Sequence, residues 1–225
     1  MGTAALLRAA GVGVGDEVVV PAFGNVEVAE AVAAAGALPV FADIDPATYC
    51  LEAAAVEGAV TPRTAAVVVV HRFGRLADVG PLHTLGRRHG LLVLEHGESD
   101  APYDEMAQRR ERAAFLDTRL KGVRTPEGGV GHTYQQYVVR VPGNGRPDRD
   151  AFARALRARG VDCGVPVKTP VHRLPGFRRC VSLPETERAA DETLALPVEA
   201  SLTKREMQRI VSACNALGGL LAPAL

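Results

Sequence analysis

The chain has 225 residues, enough for one large α/β domain or for a main domain with a small second lobe. Hydrophobic residues make up 47% and charged residues 23%, the balance of a chain that buries a core. Lys plus Arg and Asp plus Glu stand at 26 each, so no net field draws the chain to nucleic acid or to an anionic membrane.

Aromatics are only 4% with no Trp, which argues against a platform for stacking bases. Residues 1–10 lack the charged-then-apolar order of a secretory signal, and no apolar run approaches membrane-spanning length. A cytoplasmic location is expected. Cys50, Cys163, Cys180 and Cys214 are widely spread with no Cys-x-x-Cys pair, so free thiols are expected rather than a disulfide framework or a metal site.

In chain order, short runs at 18–20, 39–41, 67–70 and 91–94 are apolar throughout instead of alternating. That pattern predicts strands buried on both faces of a mostly parallel sheet. Helix-period stretches at 26–35, 53–59 and 79–89 lie between them, with Gly36 and Gly90 at two helix ends. The Gly-rich 11–15 segment precedes a strand, and Asp16 takes the place of the last Gly of a nucleotide loop, so it predicts a helix end and turn. Further on, the pattern predicts a helix at 104–120, a strand at 134–141, a helix at 150–159 closed by Gly160, and a short strand at 161–167. Thr203 and Glu206 form a capping-box pattern opening a last helix, with Met207, Ile210, Val211, Cys214 and Leu217 on one face.

Several segments recur in a specific order. They are Gly2-Thr3-Ala4-Ala5-Leu6, Gly15-Asp16-Glu17-Val18, Val20-Pro21-Ala22-Phe23 and Pro39-Val40-Phe41-Ala42-Asp43-Ile44-Asp45. Then come Thr61-Pro62-Arg63-Thr64, Val70-His71-Arg72-Phe73-Gly74, His89-Gly90-Leu91-Leu92-Val93-Leu94-Glu95, His132-Thr133-Tyr134-Gln135-Gln136-Tyr137, Thr169-Pro170-Val171-His172 and Leu196-Pro197. Together the set resembles the DegT/StrS family of sugar aminotransferases, fold-type-I pyridoxal-phosphate enzymes that aminate nucleotide-linked keto-sugars or keto-cyclitols. Each motif alone is weakly specific. Their collinear order over nearly the whole chain is not.

Pyridoxal-phosphate chemistry requires a Schiff-base lysine, an anion facing the pyridine nitrogen, an aromatic ring over the cofactor and a phosphate cup. By the resemblance, Gly2 and Thr3 fall in the cup, with an ordinary helix cap by Thr3 as the alternative. The family's segment upstream of them has no counterpart. The carboxylate expected after Glu95 is His96 here, and a neutral imidazole cannot hold a pyridinium. The family's Gln near the phenolic oxygen is Ser99, and its stacking aromatic is Asn25.

The family lysine lies on a Ser-Phe-x-x-x-Lys stretch followed by Gly-Glu-Gly-Gly. Here Ser99-Asp100-Ala101-Pro102-Tyr103 runs straight into what resembles the family's C-terminal helix, which implies an internal deletion of the lysine segment and of the dimer-arm residues. Lys121 is the rival, at the family's distance from Glu127-Gly128-Gly129, but the helical period at 109–120 speaks against it. Lys168 beside Thr169-Pro170 is a weaker stand-in.

Past the fourth strand, Glu95, His96, Glu98 and Asp100 cluster, with His71 ending the neighbouring strand. They would suit an acid–base pair or a divalent metal, with a solvated polar loop as the plainer alternative, and no metal is assigned. His132, Tyr134 and His172 resemble the family's substrate side, whereas Tyr134 and Tyr137 also suit a lobe core with a wet hydroxyl.

The expected fold is a trimmed fold-type-I α/β arrangement with a small C-terminal α+β lobe, divided into 1–103 and 104–225. The resemblance implies a degenerate aminotransferase homologue, non-catalytic for transamination and without covalently bound pyridoxal phosphate. It would bind a sugar or cyclitol ligand, or act as a homodimer or as partner to a full-length aminotransferase. Two alternatives stand beside it: a keto-sugar aminotransferase using Lys121, and a cofactor-independent enzyme using His96 and Glu98. No nucleic-acid or membrane partner is expected.

Overall fold

The computed structural model describes residues 2–97, 103–129, 131–142 and 149–218. In chain order the elements are α1 (Thr3–Ala9), β1 (Glu17–Pro21), α2 (Val26–Ala34), β2 (Leu38–Ala42), α3 (Ala53–Ala59), β3 (Thr64–Val70), α4 (Val79–His89) and β4 (Leu92–His96). They continue with α5 (Tyr103–Asp117), β5 (Tyr137–Arg140), α6 (Arg149–Ala158), α7 (Pro184–Glu192), β6 (Thr193–Leu196) and α8 (Lys204–Gly218). Two compact units result. The first comprises Met1–Arg72, Leu76–Glu98 and Thr169–Arg188, and the second Phe73–Arg75, Ser99–Lys168 and Ala189–Leu225.

In the first unit four parallel strands lie in the order β2-β1-β3-β4. Their apolar runs are explained by burial on both faces. Val18, Val20, Val68 and Val70 join Leu7 of α1 and Val28 and Val32 of α2 in one cluster. The alternate residues Val19, Val67 and Val69 join Val56 of α3 and Leu82 and Leu85 of α4 in another. β4 ends the strand order, and its Leu92, Val93 and Leu94 are only half-buried. Gly36 follows α2 at φ 92° and Gly90 caps α4 at φ 69°, the left-handed ends expected of them.

The second unit pairs β5 and β6 antiparallel, Tyr137 opposite Leu196 and Arg140 opposite Thr193. Its core joins Ala113 and Leu116 of α5, Phe152 and Leu156 of α6, and Ile210, Val211, Cys214 and Leu217 of α8. The capping box is formed: Thr203 N–H donates to Glu206 Oε2 at 2.8 Å, and Glu206 N–H to Thr203 Oγ1 at 3.3 Å.

The sequence division at 103/104 differs from these units in two places. Residues 169–188 belong with the first unit, because Val171 N–H donates to Ala22 O at 2.8 Å and the Asp43 carboxylate takes the start of α7. Phe73–Arg75 belong with the second, because Thr133 N–H donates to Gly74 O at 2.8 Å and Gln136 N–H to Phe73 O at 3.2 Å. A side chain at Gly74 would meet Thr133 Oγ1 at 2.3 Å, so that approach requires glycine.

Three element expectations need correction. Residues 161–167 form no strand: they meet the edge of β6 away from β5 through a single bridge between Gly164 and Ala195. The strand expected at 134–141 is shorter, since Tyr134 sits at φ 49° and breaks extended backbone. The helix expected at 104–120 stops at Asp117, where a turn begins. All four cysteines are free, with Cys180 exposed and the other three buried. Among the described residues no helix is long and apolar enough to cross a membrane.

Candidate functional site

The carboxyl ends of β1, β3 and β4 assemble the side chains that the sequence associates with a cofactor. β4 ends on His96, whose Nδ1 lies 3.1 Å from the Thr3 hydroxyl at the start of α1. Thr3 is therefore no helix cap. Gly2 holds the cap position, with no side-chain cap bond, and the Thr3 hydroxyl is directed to His96 instead.

After β1, Phe23 is buried and Asn25 adopts a left-handed backbone, φ 55° and ψ 54°, at the cap position of α2. Its side chain makes no cap bond; its Oδ1 accepts a hydrogen bond from Arg72, just past β3. The Arg72 guanidinium lies over the Phe23 ring, 5.6 Å from its centroid, and Phe23 stacks on Tyr49 at 5.5 Å. Burial pulls Arg72 down to about 10 against the pull of Cys50 and Glu27, so it stays charged at neutral pH. Arg72 lies within Val70-His71-Arg72-Phe73-Gly74, whose sequence alone gives it no role. Its part emerges only because β1 and β3 are neighbours.

Glu95 and His71 are brought together, whereas His96 engages Thr3. Ala77 N–H donates to His71 Nδ1 at 3.1 Å, so the neutral ring carries its proton on Nε2 and donates to Glu95 at 3.1 Å. His83 Nε2 stands 3.8 Å from the other Glu95 oxygen. A protonated Nε2 is no metal ligand, and its fixed backbone bond makes His71 an anchor for the loop that carries Arg72. Among the described residues no group of three or more His, Cys, Asp or Glu is arranged to hold a metal. Glu98 and Ser99, together with Asp100, lie outside the described residues.

His132, Tyr134 and His172 divide between the two units. His132 and Tyr134 belong to the second unit, are both buried, and stack at 4.0 Å with rings 7° apart. Burial, with Arg75 and Arg110 nearby, pulls His132 down to about 4, so it is neutral at pH 7. His172 is buried in the first unit beside Phe41, with Nε2 3.3 Å from Glu187. The Tyr137 hydroxyl is not wet; it donates to Asp117 at 2.6 Å.

Lys121 lies in the second unit, on a turn clamped to α8. Its N–H donates to Asn215 Oδ1 at 2.8 Å, and a side chain at the following Gly122 (φ 76°) would meet Gly218 Cα at 2.4 Å. Lys168 and Lys204, the other two lysines of the chain, also belong to that unit.

The second unit also holds a cleft of about 290 Å³, lined by Arg109, Gln135, Gln136, Asp162, Gly164 and Glu199 among others. Nothing in the sequence marked it, because its walls come from four separate segments. Cys163 borders it, but burial pushes its thiol up and the sulfur points to Ala153 O at 3.6 Å, so it offers no thiolate.

These residues fit pyridoxal phosphate poorly. The first unit contains no lysine, the residue at the end of β4 is an imidazole held by a hydroxyl, and Asn25, a carboxamide and no aromatic, is engaged with Arg72. The scaffold itself is unambiguous. A parallel sheet covered by helices on both faces, with its candidate site at the strand carboxyl ends, defines a protein of the fold-type-I aminotransferase class.

The chain belongs to the DegT/DnrJ/EryC1/StrS aminotransferase family, whose profile matches residues 1–99 and 103–215. It is 29% identical over 299 aligned positions to a pleiotropic regulatory protein of Geobacillus stearothermophilus, covering 91% of this chain and 79% of that one. That span exceeds the 225 residues available, so the relative has residues with no counterpart here. A second relative is L-glutamine:2-deoxy-scyllo-inosose aminotransferase of Streptoalloteichus tenebrarius, 36% identical over 216 positions; the match covers 87% of this chain but 48% of that one. The chain thus spans about half the length of some curated relatives it matches.

Among solved structures, the aminotransferase TlmJ from Streptoalloteichus hindustanus superposes with a TM-score of 0.86 at 27% identity, over 97% of this chain and 84% of that one. NtdA from Bacillus subtilis, solved with bound cofactor PMP, superposes with a TM-score of 0.84 at 20% identity, over 95% and 70%. Pyridoxal phosphate is the cofactor that the family implies.

Proposed function

We propose that the protein is a degenerate aminotransferase homologue that does not transaminate with its own residues. It acts instead as a ligand-binding or partner subunit in sugar or cyclitol metabolism. The observation that carries this reading is the placement of its three lysines: all lie in the second unit, while Thr3, Asn25 and His96 lie in the first. The break in the family match at 100–102 and the 299-position alignment to a longer relative support loss of the lysine segment between β4 and α5. The half-buried apolar side chains of the edge strand β4 support a subunit partner, either a second copy or a full-length aminotransferase.

The test is to add pyridoxal phosphate to the purified protein, record its spectrum, reduce with borohydride and map the peptides. The expected result is no internal-aldimine absorbance and no reduced adduct. An adduct confined to Lys121 would overturn the reading in favour of an aminotransferase using that residue. Activity without cofactor that disappears in His96→Ala and Glu98→Ala would favour a cofactor-independent enzyme.

A further inference from the structure

The second unit carries a binding proposal that stands whether or not the first unit meets pyridoxal phosphate. It centres on residues 127–129 and 131–134, ahead of β5, and on two arginines that reach them from elsewhere in the chain. Arg75 donates to the Glu127 carbonyl, and Arg110 of α5 donates through Nε to the His132 carbonyl at 2.9 Å. His132 N–H donates to Gly129 O at 3.3 Å and closes the turn between them. Neither Arg75 nor Arg110 makes an ion pair among the described residues, so carbonyl oxygens alone meet two full positive charges. The Glu127 side chain is exposed and forms no ion pair either.

Tyr134 is an independent sign of a ligand. It is 7% exposed and stacks on His132 at 4.0 Å, yet its hydroxyl makes no hydrogen bond among the described residues. A buried phenol ordinarily finds a partner, as Tyr137 does in Asp117 at 2.6 Å. The free hydroxyl and the Arg75 guanidinium adjoin the same two glycines. A Cβ on Gly128 would lie 3.6 Å from the hydroxyl, and one on Gly129 would lie 3.6 Å from Arg75 Nη1. Both arginines act on this phenol: burial and then Asp117 push it up, whereas Arg75 and Arg110 pull it back. His132, neutral at pH 7, adds no negative charge.

We propose that Tyr134, Arg75 and Arg110 form a site for a doubly charged tetrahedral oxyanion, phosphate or sulfate, received over Gly128 and Gly129. The guanidinium groups supply charge-assisted donors and the phenol supplies a neutral one. Glycine at both positions keeps the approach open, because a side chain at either would stand against these donors.

Inorganic phosphate, sulfate, glycerol 3-phosphate and acetate are titrated calorimetrically into the full chain. Phosphate and sulfate are expected to bind, and acetate at least about tenfold more weakly. Glycerol 3-phosphate separates the sources: binding as tight as phosphate or tighter assigns the site to an ester, and weaker binding assigns it to the free ion. Tyr134→Phe should weaken phosphate about fivefold, the loss of one neutral hydrogen bond, without lowering the thermal midpoint. Arg75→Gln with Arg110→Gln should abolish phosphate binding. No phosphate binding, acetate equal to phosphate, or affinity unchanged in Tyr134→Phe would overturn the assignment. So would a fall in the Tyr134→Phe midpoint, which would make the hydroxyl a structural group.

Discussion

Asp43, at the end of β2, accepts the backbone N–H of Thr186 at 2.8 Å and its hydroxyl at 2.7 Å across 143 residues of chain. The same carboxylate takes Glu185 N–H at 3.0 Å and Ile44 N–H at 2.9 Å. It thus supplies the N-terminal partner that α7 lacks in its own sequence, and it fixes the 169–188 segment on the first unit. Asp43→Ala leaves these donors without their acceptor and should destabilise the protein by about 2 kcal/mol. Asp43→Asn, which keeps one acceptor oxygen, should cost less. Urea midpoints of the two variants check the order.

Thr3 and His96 make the second prediction. Thr3→Val removes the hydroxyl 3.1 Å from His96 Nδ1 while keeping the volume, and should cost about 1 kcal/mol. The ¹⁵N shifts of the His96 ring should move in this variant and those of His71 should not, because His71 is held separately by Ala77 and Glu95. A coupled shift of both rings would contradict that separation.

Tyr137 is fully buried and donates to Asp117 at 2.6 Å; burial, and then this bond, push the phenol well above its usual range. Tyr137→Phe should destabilise by about 2 kcal/mol, the scale of a hydrogen bond to a charged acceptor. Thermal unfolding of the variant measures it.

His132 sets an acid limb. Its folded value of about 4 lies below the 6.5 of an unfolded histidine, so between these values the unfolded chain binds a proton that the folded chain does not. Stability is therefore full above about pH 6.5 and falls as pH drops towards 4, by on the order of 3 kcal/mol from this group. Urea midpoints from pH 7 to pH 4 should show the loss, and His132→Gln should flatten it.

Much of the first unit was legible because its strands are apolar on both faces and its helices carry clear periods and glycine ends. The bounds of α3 and α4 agree with the periodicity, and the strands differ at their ends by one to three residues. The second unit was harder to read. α7 (Pro184–Glu192), which begins in the first unit and ends in the second, is mostly polar, its buried side chains the small Thr186, Ala189 and Ala190, so no apolar period announced it. β6 is only four residues long, and 161–167 meets its other edge through one bridge.

Sequence alone determined the ancestry and the strand–helix rhythm, because these depend on local period and on the order of motifs. Tertiary structure decided what the candidate site residues touch: His96 with Thr3, Asn25 with Arg72, His132 against Tyr134 in a core. It also decided that the three lysines share one unit and that four separated segments enclose a polar cleft. The physical reason is range. A strand's burial is written in neighbouring residues, whereas a side chain's partner is set by chain crossovers tens of residues long, which no local pattern records.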